Sequence, residues 1–385
     1  MTYNLLKNKI TYLDHNATTP IDPRVIAEVT SNFQELYANA SSSYFIGNNS
    51  RIAIEKAKNN ISQLLNCDSN EIYFNSGATE GINFALKGLA LHPKNIRRHI
   101  ITGTTEHKAV LETCHYLENV GYEIEYLPVN DSGEINLSQL QNAIRKDTLL
   151  ICLMWVNNET GVINPISEIG RIATEAGVYF VCDGTQGIGK LSVNVTDSNI
   201  DVFCFSGHKF YAPKGIGGIY INQTITRQSK IQPLLHGGGQ EDGLRSGTYN
   251  VPLIAGLEMA FNIAQKEMDN NKIHITQLRD FLENELLKIE GAYINAQKAL
   301  RIYNTTNICI PGFYTDIFLG INKDIAVSNG SACTSELIEP SHVLLAMGVK
   351  NEDAMNSLRV SMGKDNTIED IRLLIQRIKN FISNQ

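Results

Sequence analysis

A lysine and an aspartate in this chain each stand just past an apolar run, and together they suit one kind of chemistry. Ser206-Gly207-His208-Lys209 closes the run Asp201-Val-Phe-Cys-Phe205 and leads into Pro213-Lys-Gly-Ile-Gly-Gly218. An amine there would be held at the rim of a sheet, inside a Gly-rich loop. Upstream, Val178-Tyr-Phe-Val-Cys182 reads as a second buried strand ending in Asp183, with Gln186 close behind. Pyridoxal phosphate requires such a pair: a lysine to form the Schiff base and a carboxylate to keep the pyridine nitrogen protonated, so that the ring acts as an electron sink. Singly, each residue has a plainer reading. Lysines after strands are usually solvated, and an aspartate at a strand end often caps a helix or turn.

Other polar groups fall in comparable places. Ser76-Gly-Ala-Thr-Glu80 follows the strand-like Ile72-Tyr-Phe74 and opens a helix. Free backbone N–H groups and the helix dipole would face a phosphate there, with Thr79 adding a hydroxyl; a plain N-cap is the competing reading. Ser206 and His208, beside Lys209, could supply more phosphate donors. Thr105-Glu106-His107 begins another helix, and its imidazole could stack on the pyridine ring and shuttle protons, or simply cap the helix. Val156-Asn157-Asn158-Glu159-Thr160-Gly161 ends the most hydrophobic strand, where polar side chains can hydrogen-bond the ring's phenolic oxygen. Asn329-Gly-Ser-Ala-Cys333-Thr-Ser335 surrounds a cysteine with small residues, which predicts an exposed loop with a reachable thiol. No His or Asp stands near it at triad spacing. His107, Cys114 and His115 share a helix face but lack a fourth ligand at the usual spacing, so no metal is expected.

The elements that must hold these groups alternate along most of the chain. Helices are expected at 23–37, 50–65, 79–90, 107–119, 137–145 and 166–176 from their apolar periodicity, including Val25, Val29 and Phe33 on one face. Strands are expected at 71–74, 99–102, 122–127, 149–156, 178–182, 201–205 and 216–221. Non-alternating, β-branched strands between helices indicate an α/β fold with a mainly parallel, seven-stranded sheet covered on both faces. Ligands sit beyond the carboxyl ends of such strands, where Asp183 and Lys209 fall. After about residue 260 the texture changes: a long polar helix over 263–289, shorter strands near 305–310 and 325–328, and helices near 341–347 and 367–382. This reads as a smaller α+β domain, completed by an N-terminal strand around 10–13. The expected division is 15–260 and 1–14 plus 261–385.

The 385 residues, 43% hydrophobic and 19% charged, describe an ordinary folded protein. A net charge of −7 argues against direct nucleic-acid binding, which needs a basic surface. The N-terminus lacks the apolar core of a signal peptide, and no run is long enough to span a bilayer. Cys152, Cys182, Cys204 and Cys309 lie in apolar strand-like runs, and the seven cysteines contain no C-x-x-C pair. A reducing, cytoplasmic setting follows.

Taken together the motifs resemble the cysteine desulfurases, pyridoxal-phosphate enzymes of the class V aminotransferase group with the fold-type I architecture. The resemblance runs nearly end to end through Tyr12-Leu-Asp-His-Asn-Ala-Thr-Thr-Pro20, Ser76-Gly-Ala-Thr-Glu80, Thr105-Glu-His107, Val156-Asn-Asn-Glu159, Ser206-Gly-His-Lys209, Gly237-Gly-Gly-Gln-Glu241, Arg245-Ser-Gly-Thr248, Ser331-Ala-Cys333 and Arg359. The loop around Cys333 resembles the nitrogen-fixation and housekeeping iron–sulfur subgroup. The resemblance implies Lys209 as the Schiff-base lysine, Asp183 on the pyridine nitrogen, Gln186 on the phenolic oxygen and His107 stacked on the ring. It implies Ala78, Thr79, Ser206 and His208 around the phosphate, with Thr248 reaching over from the second subunit of a homodimer. Asn39, Asn158 and Arg359 would hold the substrate, with Asn158 also near the cofactor, and Cys333 on a loop over about 328–340 would be the nucleophile.

The implied reaction converts L-cysteine to L-alanine and leaves a persulfide on Cys333, for delivery to an acceptor protein such as one serving iron–sulfur cluster assembly or tRNA thiolation. A selenocysteine lyase, another class V aminotransferase-type enzyme and a low-turnover sulfur-relay protein are the alternatives. The chain departs from the family pattern in several places. Asn39-Ala-Ser-Ser-Ser-Tyr44 lacks the usual proline and histidine, Asn329 replaces a usual serine, 311–323 is short, and an extended tail beyond Gln385 is not expected.

Overall fold

The computed structural model describes residues 10–329 and 339–384. In chain order the strands are β1 (Thr11–Tyr12), β2 (Ile72–Asn75), β3 (His99–Gly103), β4 (Glu123–Leu127), β5 (Thr148–Met154) and β6 (Tyr179–Asp183). They continue as β7 (Val202–Ser206), β8 (Gly217–Ile221), β9 (Tyr293–Ile294), β10 (Thr305–Cys309), β11 (Ile325–Ala326) and β12 (Ser357–Ser361). The helices are α1 (Pro23–Glu35), α2 (Phe45–Leu65), α3 (Ala78–Ala90), α4 (Lys108–Asn119), α5 (Leu137–Ala143) and α6 (Ile166–Ala176). Then follow α7 (Gln223–Arg227), α8 (Val251–Leu286), α9 (Thr315–Ile321), α10 (His342–Ala346), α11 (Asn351–Met355) and α12 (Ile368–Ser383).

The α/β expectation holds. Strands β2 to β8 form one seven-stranded sheet in the order β2-β8-β7-β6-β5-β3-β4. Neighbours are parallel except β8, which runs antiparallel to both β2 and β7. All of β5 is buried, as the unbroken apolar run 149–154 requires of a central strand covered on both faces. Alternate residues feed two cores. Ile151, Phe180 and Phe203 pack with apolar residues of α2, α6 and α8, whereas Leu150, Val181 and Val202 pack with those of α3 and α4.

Two small sheets accompany the large one. β12, β10 and β9 form an antiparallel trio, and β1 pairs in parallel with β11, Thr11 opposite Ile325. Isolated bridges from Asp14 to Ser361 and from Ser328 to Arg359 tie the segments after β1 and β11 to β12.

Two local differences from the sequence reading have physical causes. The long helix starts at Val251, because Asn250 caps it by accepting from Leu253 N at 3.3 Å and Pro252 occupies a first-turn position that needs no N–H donor. It therefore runs unbroken across residue 260. A Cβ at Gly256 would stand 2.4 Å from Val29 Cγ2, so the missing side chain lets α1 lie close against α8. Phe33, expected on the buried face of α1, is 58% exposed, while Val25 of the same stripe is fully buried.

Candidate active site at the carboxyl edge of the sheet

β5, β6 and β7 end side by side at Met154, Asp183 and Ser206. Because β8 reverses direction between them, β2 runs parallel to β7 and Asn75 and Ser206 both face Gly217 across the ladder. The start of α3 therefore arrives at the same edge as Lys209. A cavity of about 830 Å³ opens there, lined by Ala78, Thr79, His107, Asn158, Asp183, Gln186, Ser206, His208, Lys209 and Arg359 among others.

Lys209 ends a single 3-10 turn, Gly207–Lys209, that follows β7 directly. Its Nζ donates to Asn16 O at 2.8 Å and Ala17 O at 2.7 Å, two carbonyls that also line the cavity. Asp183 is buried at the end of β6, where Oδ1 accepts from Thr185 N at 3.0 Å. His107 is the N-cap of α4, and its Nδ1 accepts from Ala109 N at 3.1 Å. The neutral ring must then carry its hydrogen on Nε2. Burial lowers the His107 pKa, and the charge of Asp183 only partly offsets this against the nearby Lys209. The imidazole is thus neutral at pH 7.

The helix start beside Ser206 is shaped to receive an anion. Among the described residues no side chain caps α3, which leaves first-turn N–H groups open to a ligand. Gly77 has φ +148°, and a Cβ there would meet Ser206 Oγ at 3.1 Å. At Gly217 a Cβ would come within 2.5 Å of Phe205 O and 2.7 Å of Gly77 Cα, so only glycine lets the loops close together. His208 Nδ1 lies 3.1 Å from Thr18 Oγ1, and burial with the charge of Lys209 pushes its pKa down to about 4. It is a neutral donor at pH 7. Glu80, which would oppose an anion here, is engaged by Arg245 at 2.8 and 3.2 Å.

The opposite wall is a second cationic position. Arg359, on β12, donates through Nη2 to Asp14 Oδ1 at 2.7 Å and through Nη1 to Asn158 O at 3.1 Å. Its Nε is buried with no partner among the described residues. Asn157 shapes this turn: its Oδ1 accepts from Glu159 N at 2.9 Å and Thr160 N at 3.0 Å, which turns Asn158 to the cavity.

Two expected residues are not brought to the cavity. Asn39 is exposed, with Oδ1 accepting from Ser41 N at 3.0 Å, and Thr248 is exposed as well. Cys333 lies outside the described residues. The chain resumes beside the cavity, where Glu339, Ser341 and His342 join its lining. Ser341 donates to the buried Glu159 carboxylate, and His342 Nε2 lies 3.0 Å from Glu106 O.

Several members of the site escaped the sequence reading. The Asn16 and Ala17 carbonyls are backbone groups, which no side-chain pattern announces. Glu106 carried a signal only as the neighbour of His107. It is buried, its Oε1 accepts from Met154 N at 2.9 Å, and burial pushes its pKa well above the usual carboxyl range. Lys190 had none beyond its place after Gln186. Among the described residues no group of His, Cys, Asp or Glu could hold a metal. No helix among them is long and apolar enough to cross a membrane.

A strand-end lysine and aspartate beside an uncapped helix start, on a mainly parallel sheet, define a class. The chain belongs to the class V aminotransferase family, whose model (Aminotransferase class-V) matches residues 11–374. Within that family its similarity is to cysteine desulfurases. Cysteine desulfurase IscS of Rickettsia massiliae (strain Mtu5) is 43% identical over 376 residues, covering 96% of this chain and 91% of that protein. The IscS of Methanosarcina thermophila is 43% identical over 378 residues, covering 98% and 93%. Among solved structures, a NifS-like protein superposes with a TM-score of 0.91 at 36% identity, covering 98% of this chain and 100% of that one. SspA in complex with cysteine gives a TM-score of 0.81 at 35% identity, covering 92% and 99%.

Proposed function

We propose that this cysteine desulfurase uses pyridoxal phosphate to take sulfur from L-cysteine and passes it to Cys333, releasing L-alanine. The observation that carries the reading is the placement of Lys209 and Asp183 on one cavity rim with the uncapped start of α3. These residues fit the cofactor. The cradle at Gly77 and Gly217, which a Cβ would fill, suits a phosphate with Ala78, Thr79, Ser206 and His208 around it. Asp183 suits the pyridine nitrogen, Gln186 the phenolic oxygen and His107 a ring face. The cofactor, when bound, supplies an electron sink conjugated to the substrate's α-carbon.

The chain's own residues do the remainder. Lys209 anchors the cofactor and, once released, moves the proton at the substrate's Cα. Arg359, whose Nε has no partner among the described residues, and Asn158 hold the α-carboxylate. His107, neutral, gives and takes the proton at the substrate sulfur. The Cys333 thiolate attacks that sulfur: the Cβ–S bond breaks, an S–S bond forms, and the carbon takes up a proton to become alanine. One cysteine and one enzyme thiol thus give one alanine and one persulfide. Thr248 completes the phosphate site of a second copy in a homodimer, which also accounts for its exposure here.

Residues 15–260 form the cofactor-binding unit in this reading, and 1–14 with 261–385 form a smaller unit carrying the cysteine loop; the pairing of β1 with β11 supports that grouping. The protein works in the cytoplasm and hands its sulfur to an acceptor protein of iron–sulfur assembly or tRNA thiolation. Alanine and sulfide formed from L-cysteine with a thiol reductant, by the protein and by its Cys333→Ser variant, test the proposal. Equal yields of both products, lost in the variant, are expected; undiminished turnover in the variant would overturn the role of Cys333.

A further inference from the structure

A second lysine stands behind the cavity wall. Lys190 is buried, and its Nζ donates to Gln186 O at 3.1 Å and to Gln186 Oε1 at 2.8 Å. Gln186 in turn donates from Nε2 to Asn16 O at 2.8 Å, the same carbonyl that accepts from Lys209. A carboxamide is nearly symmetric in shape, and its hydrogen bonds decide which end is oxygen. With Lys190 donating to one end, Gln186 must present its NH₂ to Asn16 and the cavity it lines. Asn16 takes one hydrogen of that NH₂, and the other is left for a cavity ligand.

The arrangement is costly in itself. The oxygens that Lys190 reaches are neutral, and burial with the charge of Lys209 pushes its pKa down to about 7. An apolar side chain of similar length would fill the space without that cost.

We propose that Lys190 is a positioning residue that, by holding Gln186 Oε1, turns the Gln186 amide N–H toward the cavity to meet the phenolic oxygen of pyridoxal phosphate. This rests on the cofactor reading given above. The test is a double-mutant cycle on the full-length protein, with Lys190→Met and Gln186→Ala alone and combined. Pyridoxal phosphate affinity is read by fluorescence titration, and the pH midpoint of the visible absorbance is followed in each variant. Lys190→Met is expected to weaken binding about fivefold, the worth of one hydrogen bond, and to move the absorbance midpoint. In the Gln186→Ala background the same change should leave affinity unaltered. Lys190→Gln, which keeps a donor, should recover most of the affinity, a rescue that a space-filling role would not give. Should the methionine variant not fold, Lys190→Leu takes its place. Unchanged affinity, or a loss of equal size in both backgrounds, would overturn the proposal while leaving the cofactor reading intact. A wild-type protein that takes up no pyridoxal phosphate would overturn both.

Discussion

The Asp14 carboxylate meets the Arg359 guanidinium at 2.7 Å, joining the chain just after β1 to β12 at the cavity wall. Both partners are largely buried, so the contact aims the guanidinium as well as balancing its charge. Asp14→Asn keeps the shape and removes the charge. Losing a charged hydrogen bond of about 1.5–3 kcal/mol should raise KM for L-cysteine about tenfold or more with kcat little changed. Steady-state kinetics decide it; an unchanged KM would mean that Arg359 needs no help from Asp14.

Gly77 occupies a region of backbone space, φ 148° and ψ 178°, that only glycine enters readily. Gly77→Ala adds strain of roughly 1–3 kcal/mol at the helix start that faces Ser206. Pyridoxal phosphate affinity should fall about tenfold, measured by equilibrium titration, while the far-ultraviolet dichroism stays as it is.

Much of this could be read from the sequence, for identifiable reasons. β5 carries the unbroken apolar run 149–154 and α6 has sharp periodicity, and both lie close to where pattern alone puts them. β12 went unseen because Ser357-Leu-Arg-Val-Ser361 carries a buried arginine between its apolar residues, which defeats a hydropathy reading. The face of α1 misled at Phe33, since periodicity reports a stripe but not how far along it the core extends. The lysine, aspartate and histidine of the site were visible as strand-end and helix-start residues. The carbonyls that hold Lys209, and the Lys190–Gln186–Asn16 chain behind it, depend on where loops close in space.

Lys209→Ala should abolish alanine formation and leave the protein unable to hold pyridoxal phosphate through desalting, read as loss of visible absorbance. Cys333→Ser should keep that absorbance. If the Lys209 variant retained a cofactor resistant to borohydride-free gel filtration and full turnover, the anchoring role would belong elsewhere.

His15 sits between the rings of Tyr12 and Tyr211, at 5.0 and 6.1 Å, beneath Gly363. Burial and then the charge of Lys190 lower its pKa from 6.5 to about 4. The unfolded imidazole therefore takes a proton near pH 6.5 while the folded one does not until about pH 4. Folding must weaken as the pH falls through that window, by on the order of 3 kcal/mol from this residue. Urea unfolding at several pH values, compared with His15→Gln, should show that extra acid sensitivity in the wild type and its absence in the variant.

Lys190, ordinarily charged where histidine is ordinarily neutral, has the same sign of linkage. Its folded pKa of about 7 lies below the usual 10.5, so the unfolded chain binds the extra proton between those values. Stability rises with pH across that range, and the full cost of burial is felt below about pH 7. Lys190→Met should therefore stabilise the protein by about 1 kcal/mol or more near pH 6.5, a gain that fades toward pH 10. Denaturation midpoints at both pH values check this, and a destabilised variant at pH 6.5 would contradict it.

The reversed strand β8 also sets an order in time. Asn75 and Ser206 become neighbours of a common strand only when residues 217–221 are in place between them. A chain still growing on the ribosome therefore holds its lysine before it holds a seat for phosphate, and the wall bearing Arg359 comes later still. Capture of pyridoxal phosphate is on the proposed reading a late event in the life of each molecule. Chains halted ahead of Gly217 should stay colourless with pyridoxal phosphate.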